Sequence, residues 1–321
     1  MWYGIGMKRY IICMVLSAAL LLALTGCKSK EPAPIVTPVP VPTATPDPHE
    51  GMVEVPDGLG GTIWIVESEI LKPFSADRNA FAVSNTAAAY NGTGLSLVRG
   101  IDVSDHQGAI DWQAVADSGV RFAMIRCGWR GYSGGSLNED NSFRANIEGA
   151  QAAGLDVGVY FFSQAISVIE AAEEAVYTVK LLEDYELQLP VFFDWEFIGT
   201  DTARTDGMDG ETLTECTLEY CRLIESAGYT PGVYTNLHNA YNYYDLDALD
   251  GLCFWYAGPG EKPLYYYDHD YWQYSFTGSV PGIEGDVDLD AMYVWDDAVA
   301  VDAAQTQETR ENDRDTAGNT P

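Results

Sequence analysis

From Arg99 onward, apolar runs of strand length alternate with stretches whose apolar positions recur every three or four residues. "RGIDV" comes first, followed by a short helical stretch around "DWQAVADSG". "VRFAMIRCG" reads as an apolar strand and "NEDNSFRANIEGAQAAG" as a helix closed by glycine. After the strand "LDVGVYFFS", a helix carries Val168, Ala172, Ala175, Val176, Val179 and Leu182 at helical spacing. "LPVFFDW", a helix over residues 212–227 and "YTPGVYT" continue the series. "LCFWYA", "DYWQYS" and "DVDLD" are strand-like with little helix between them. This alternation predicts an α/β protein with a parallel sheet. The number of strands predicts a single-domain, irregular, TIM-like β/α barrel whose helices are missing between the last strands.

The pattern changes at both ends. Lys8 and Arg9 precede a nearly uninterrupted apolar stretch, Ile11 to Leu24, short for a bilayer span but suited to a signal-peptide core. It runs into "LTGC", which resembles a bacterial lipobox and implies cleavage before Cys27 and lipidation of its thiol. Residues 1–27 are thus expected to be a lipoprotein signal peptide, and 28–50 a proline-rich linker. Polyproline II geometry, at about 3.1 Å per residue, would hold a domain roughly 50 Å from its anchor. Residues 51–98 form an extension in which only "GGTIWIVESEI" looks strand-like; it either packs on the barrel or folds separately. Residues 297–321 lack an apolar pattern and read as a disordered acidic tail. The barrel is expected over residues 99–296.

Charge narrows the partners. The chain has 17 basic against 48 acidic residues, a formal charge of −31. Such a surface repels nucleic acid and anionic headgroups, so nucleic acid is excluded as a partner. The remaining cysteines, Cys127, Cys216, Cys221 and Cys253, show neither a scaffold nor a zinc spacing. Cys216 falls on the stripe Leu213, Cys216, Tyr220, Leu223, Ile224, Ala227, a helix's buried face. His106, His238 and His269 look loop-placed, without ligand spacing, and are expected at the surface. Neither a metal nor a cofactor is expected.

The candidate chemistry lies where "LPVFFDWEF" ends an apolar strand on Asp194 and Glu196. Strand alternation puts both on one face, about 7 Å apart at Cα, where like charges raise one pKa. Active sites of such barrels lie at the C-terminal strand ends. Asp102 ends the first strand and Asp288 sits in the last; closure makes those strands neighbours, so the two acids should meet near the mouth. Tyr160, Phe162, Tyr234, Trp255 and Trp272 occupy equivalent positions. Four acids ringed by aromatic faces suit a carbohydrate better than a metal.

"GIDVSDHQGAIDW", "FAMIRCGW", "AGLDVGVYFFSQA", "LPVFFDWE", "AGYTPGVYTN" and "YWQYSFTGSVPGIEGDVDLD" occur in this order. Together they resemble the glycoside hydrolase family 25 lysozymes, the Chalaropsis-type N-acetylmuramidases, over about residues 99–295. The resemblance implies hydrolysis of the β-1,4 bond from N-acetylmuramic acid to N-acetylglucosamine in peptidoglycan, with active-site acids at Asp102, Asp194, Glu196 and Asp288. It departs at Tyr160-Phe161-Phe162, where many relatives have histidine in the middle; alternation turns Phe161 away from the mouth. Glycosidic cleavage needs a proton for the leaving oxygen and negative charge near an oxocarbenium-like centre. Glu196 is the expected general acid, its pKa raised by burial and by Asp194. Asp194 is then nucleophile or stabiliser of a substrate-assisted intermediate, with Asp102 and Asp288 tuning the pair. Tyr160, Phe162, Tyr234 and Trp255 are the expected substrate-binding residues. The partners implied are peptidoglycan glycan strands and, through the lipid anchor, a bacterial membrane facing the wall, with the protein a monomer. A chitinase-like barrel would need aspartates where this chain has Phe192 and Leu189. The alternative is a non-catalytic glycan-binding surface lipoprotein, which would keep the aromatics and lose the acids.

Overall fold

The computed structural model describes residues 47–68, 71–200 and 202–296. The expected signal segment with Cys27, nearly all of the linker, and the tail lie outside the described residues. From Pro48 on, the described residues form one compact unit. Two short antiparallel hairpins come first, β1 (Met52–Pro56) with β2 (Thr62–Val66) and β3 (Phe81–Val83) with β4 (Ala88–Tyr90). There follow β5 (Leu95–Val103), α1 (Trp112–Asp117), β6 (Phe122–Arg130), β7 (Leu137–Glu139), α2 (Phe143–Ala152) and β8 (Asp156–Ser163). The second half comprises α3 (Val168–Leu181), β9 (Val191–Trp195), α4 (Gly210–Ser226), β10 (Pro231–Asn236), α5 (Leu237–Asn242), β11 (Cys253–Ala257), β12 (Tyr271–Gly278) and β13 (Val287–Trp295). β5 begins at Leu95, so the first barrel strand takes in residues that the sequence reading leaves in the extension.

One sheet, in the order β5-β13-β12-β11-β10-β9-β8-β6-β7, closes through a β5–β6 pairing, with β7 hanging outside the ring on β6. The closed α/β barrel expected from the pattern is therefore present, and no helix separates β11, β12 and β13. The sheet is not wholly parallel. β13 runs antiparallel to both β12 and β5. Residues 279–286 are too few for a crossover, which takes a dozen or more, so the chain can only turn back.

Alternation decides what faces inward. Phe122, Met124, Tyr160, Phe192, Tyr234, Trp255 and Tyr271 fill the barrel, while Val191, Phe193 and Trp195 of β9 pack outward under the helices. Rings this large fit because neighbouring strands offer glycine. A Cβ on Gly100 would lie 2.1 Å from the Phe122 ring, and one on Gly232 2.5 Å from Phe192.

α3 corrects the sequence reading. Its buried residues are Ala171, Glu174, Ala175, Thr178 and Leu181, while Val176 is 62% exposed. Apolar spacing missed this face because a carboxylate lies at its centre. Glu174 accepts from Arg130 Nε (2.7 Å) and from the Ser163 hydroxyl (2.6 Å). α4 buries Leu213, Cys216, Tyr220 and Ile224 as the stripe predicts.

Where helices are missing, the extension takes their place. Phe74 packs against His269, Tyr293 and Trp295, and Phe81 against Trp272 and Tyr293. Pro73 bridges to Tyr267, and Arg78 Nη2 donates to the Tyr265 carbonyl at 2.7 Å. His269, expected at the surface, is buried in this layer; burial holds its pKa down to about 3. Trp272 also points into this layer rather than to the mouth, donating from Nε1 to the Gly258 carbonyl at 2.9 Å.

Candidate active site

Strand register assembles the site in a row. Phe162 of β8 lies beside Asp194 of β9, Asp194 beside Tyr234 of β10, and Tyr234 beside Trp255 of β11. Across the closing seam Asp102 of β5 is the register partner of Asp288 of β13. Because β13 is reversed, Asp288 reaches the mouth from near the start of its strand. All four expected acids, with Tyr160, Phe162, Tyr234 and Trp255, line one cavity of about 190 Å³. Grooves beside Cys253 and Trp64 are larger, about 560 and 620 Å³, but lack a facing set of buried acids.

Two contacts between carboxyls organise the acids. Asp194 touches Glu196, and Asp102 touches Asp290. Carboxyl oxygens in hydrogen-bonding contact need a proton between them, so each pair resists full ionisation. Burial is the largest cause raising the Asp194 pKa; the Glu196 charge raises it further and the Arg126 charge opposes this. Burial also lifts Glu196 to about 7; its contact with Asp194 lowers it, and the Asp288 charge raises it. The like charge raising Glu196 is thus Asp288 rather than Asp194. Asp288 is raised to about 6 by burial and by Asp286. Asp102 is raised by burial and by the charges of Asp290 and Asp288.

The backbone around Glu196 is held from three sides. Trp195 Nε1 donates to the Ala165 carbonyl (3.3 Å), Asn239 Nδ2 to the Trp195 carbonyl (3.1 Å), and Gln164 Nε2 to the Glu196 carbonyl (2.9 Å). Gln164 is itself fully buried and accepts from the Thr205 hydroxyl at 3.0 Å.

Several residues here escaped the sequence reading. Gln273 Nε2 donates to Asp102 Oδ2 (2.7 Å) and Asp288 Oδ2 (3.1 Å), while its Oε1 accepts from the Tyr234 hydroxyl (2.8 Å). Asp290, wholly buried, accepts from Trp255 Nε1 at 2.8 Å. Both had a signal in alternation. Gln273 is the polar residue at an inward position of "YWQYS", and Asp290 follows Asp288 on the same face. Arg126 lines the cavity too, paired with Asp105 (2.6 Å) and Asp140 (2.8 Å). His106, exposed, stands at the rim. Trp255 is only 1% exposed, wedged by Tyr160, Phe192 and Tyr234. It forms the floor of the cavity and offers no open face.

The sequence profile of glycosyl hydrolases family 25 matches residues 101–283. The chain belongs to this family. Among family 25 relatives, the autolytic lysozyme of Clostridium acetobutylicum is 28% identical over 194 residues, covering 60% of this chain and 55% of that protein. The chain thus spans little more than half the length of that relative. Among solved structures, a lysozyme from Streptomyces coelicolor is similar with a TM-score of 0.51 and 26% identity, over 61% of this chain and 92% of its own. The modular autolysin of Streptococcus pneumoniae, solved with a synthetic peptidoglycan ligand, gives a TM-score of 0.53 at 26% identity, over 62% and 47%. Asp102, Asp194 and Glu196 fall inside the family 25 match. Asp288, Asp290 and the whole extension fall outside it.

Proposed function

We propose that the protein is a peptidoglycan hydrolase, an N-acetylmuramidase that cleaves the β-1,4 bond between N-acetylmuramic acid and N-acetylglucosamine. The observation that carries this reading is the buried Asp194–Glu196 contact at the mouth end of β9, held within a ring of further acids. The pair keeps one proton. The proton is shared across the contact, and burial together with the Asp288 charge keeps Glu196 able to carry it up to about pH 7. Glu196 donates it to the glycosidic oxygen as the bond to the anomeric carbon breaks. Asp194 supplies negative charge to the oxocarbenium-like centre on the muramic side. Water then adds at that carbon and returns its proton to Glu196. Gln273 holds Asp102 and Asp288 in place for the sugar hydroxyls. Family membership and the lysozyme relatives support the same reaction. Mass spectrometry of muropeptides released from purified wall tests it: reducing-end muramic acid is expected, and reducing-end glucosamine would exclude a muramidase.

The apolar N-terminus and "LTGC" support export and lipid anchoring at Cys27. One acyl chain binds only marginally, so a lipoprotein's two or three chains are needed for stable attachment. Cys27→Ala is expected to abolish membrane partitioning of the processed form without changing cleavage, read by fractionation and wall-clearance assays.

A further inference from the structure

A groove of about 500 Å³ lies on the mouth side of the barrel, between the β3–β4 turn and the segments following β11 and ending β12. We propose that it is a second glycan subsite, holding a more distant stretch of the strand whose bond is cut at Glu196; this rests on the glycoside hydrolase reading above. Its position comes first. Gln273 lines the catalytic cavity, and Phe276, three residues further along β12, lines the groove, a step of roughly 10 Å at about 3.3 Å per residue. The Gly258 amide, just beyond β11, donates to the Gln273 carbonyl at 3.1 Å, so the two sites share a backbone joint. A polymer lying across the mouth reaches both.

The lining fits a sugar. Phe276 is 46% exposed, an aromatic face left open at the end of a strand whose earlier residues are buried. Pro259 adds apolar surface, and Ser84, Asn85 and Thr277 provide short polar groups around it. A pyranose presents apolar C–H faces and a rim of hydroxyls, which this combination matches. Among the described residues Glu261 is the only charged one lining the groove, an acceptor for sugar hydroxyls. Both walls are set before binding. In the β3–β4 turn the Ser84 amide and hydroxyl each donate to the Ala87 carbonyl at 2.9 Å. Opposite, the Gly260 amide donates to the Tyr274 carbonyl at 3.1 Å, and Lys262 Nζ ties that loop to Asn79 Oδ1 at 3.0 Å. Such preorganisation lowers the cost of binding. One wall belongs to the extension, outside the family 25 match. The other wall, from Pro259 to Thr277, lies inside it.

The test uses the full chain and peptide-free glycan strands, long and short. Phe276→Ala, at an exposed position, is expected to lower kcat/KM on long strands about tenfold, the loss of one aromatic stacking contact, and Thr277→Arg, also exposed, to lower it by filling the groove. On a short fragment filling only the catalytic cavity, the rate should stay within twofold of the unmodified chain. Equal rates on long strands, or equal losses on both, would overturn the subsite. So would a loss confined to peptide-bearing wall, which would assign the groove to stem peptides. If the unmodified chain cleaves no glycan, the hydrolase reading fails separately. Long-strand affinity in a Glu196→Gln background, with and without Phe276→Ala, then decides the groove: a tenfold loss supports it and no change overturns it.

Discussion

Burial at the mouth of the barrel sets the pH behaviour of Glu196, raising its pKa against the lowering effect of its contact with Asp194. Its folded pKa lies near 7, so the proton it donates is present below that value and lost above it. Wall-clearance rates at low substrate should therefore fall as pH rises through about 7. Asp288→Asn removes a like charge that raises Glu196, so the alkaline limb should move to lower pH, whatever happens to the maximal rate. An unmoved limb would show that Asp288 is not felt at Glu196. Glu196→Gln keeps the shape of the side chain but cannot donate as an acid. Cleavage should drop by about 10²–10⁴-fold, with circular dichroism and glycan affinity retained. Clearance within a few-fold of the unmodified chain would remove Glu196 from that role.

At the scale of elements, the extension is a structural part of the barrel. Phe74 sits where a helix would otherwise cover β12 and β13, packed in tilted and edge-on contacts among His269, Tyr293 and Trp295. Phe74→Ala should cost about 3–5 kcal/mol by opening a cavity there, seen as a lowered denaturation midpoint. A midpoint shift near zero would mean the extension merely rests on the barrel. None of this was legible in residues 51–98, because a segment covering the outside of a sheet needs no period of its own. The barrel strands were legible for the opposite reason: continuous apolar runs such as "LPVFFDW" face two cores. The four acids followed from strand ends and closure. Glu174 hid the buried face of α3, since apolar spacing cannot register an ion pair at a helix's centre. The reversal of β13 was recoverable from the short segment 279–286 alone.

Taken whole, the molecule stores carboxyls that prefer to be neutral. Burial raises Glu174 and Glu196 to about 7, Asp268 and Asp288 to about 6, and Asp290 to about 8. The folded state then binds more protons than the unfolded chain between about pH 4 and 8, so stability falls as pH rises through that window. The formal charge of −31 adds repulsion in the same direction. Calorimetric midpoints should be highest at mildly acidic pH and decline toward pH 8. Glu196→Gln should lessen the decline by removing one such group. A midpoint that rises from pH 5 to pH 8 would contradict the account.

The seam between β5 and β13 differs from every other joint in the ring. All other neighbouring strands of the ring follow one another along the chain, whereas these two are the barrel's first and last, joined by a ladder from Asp102–Asp288 to Leu95–Trp295. Two of the acids face each other across that joint, with Gln273 spanning them. Ring closure and the alignment of the acids are therefore one condition. A molecule frayed along the seam keeps its helices and most of its sheet, yet presents Asp288 without Asp102. Opening that seam alone would therefore cost catalysis through lost alignment while the secondary structure still persists.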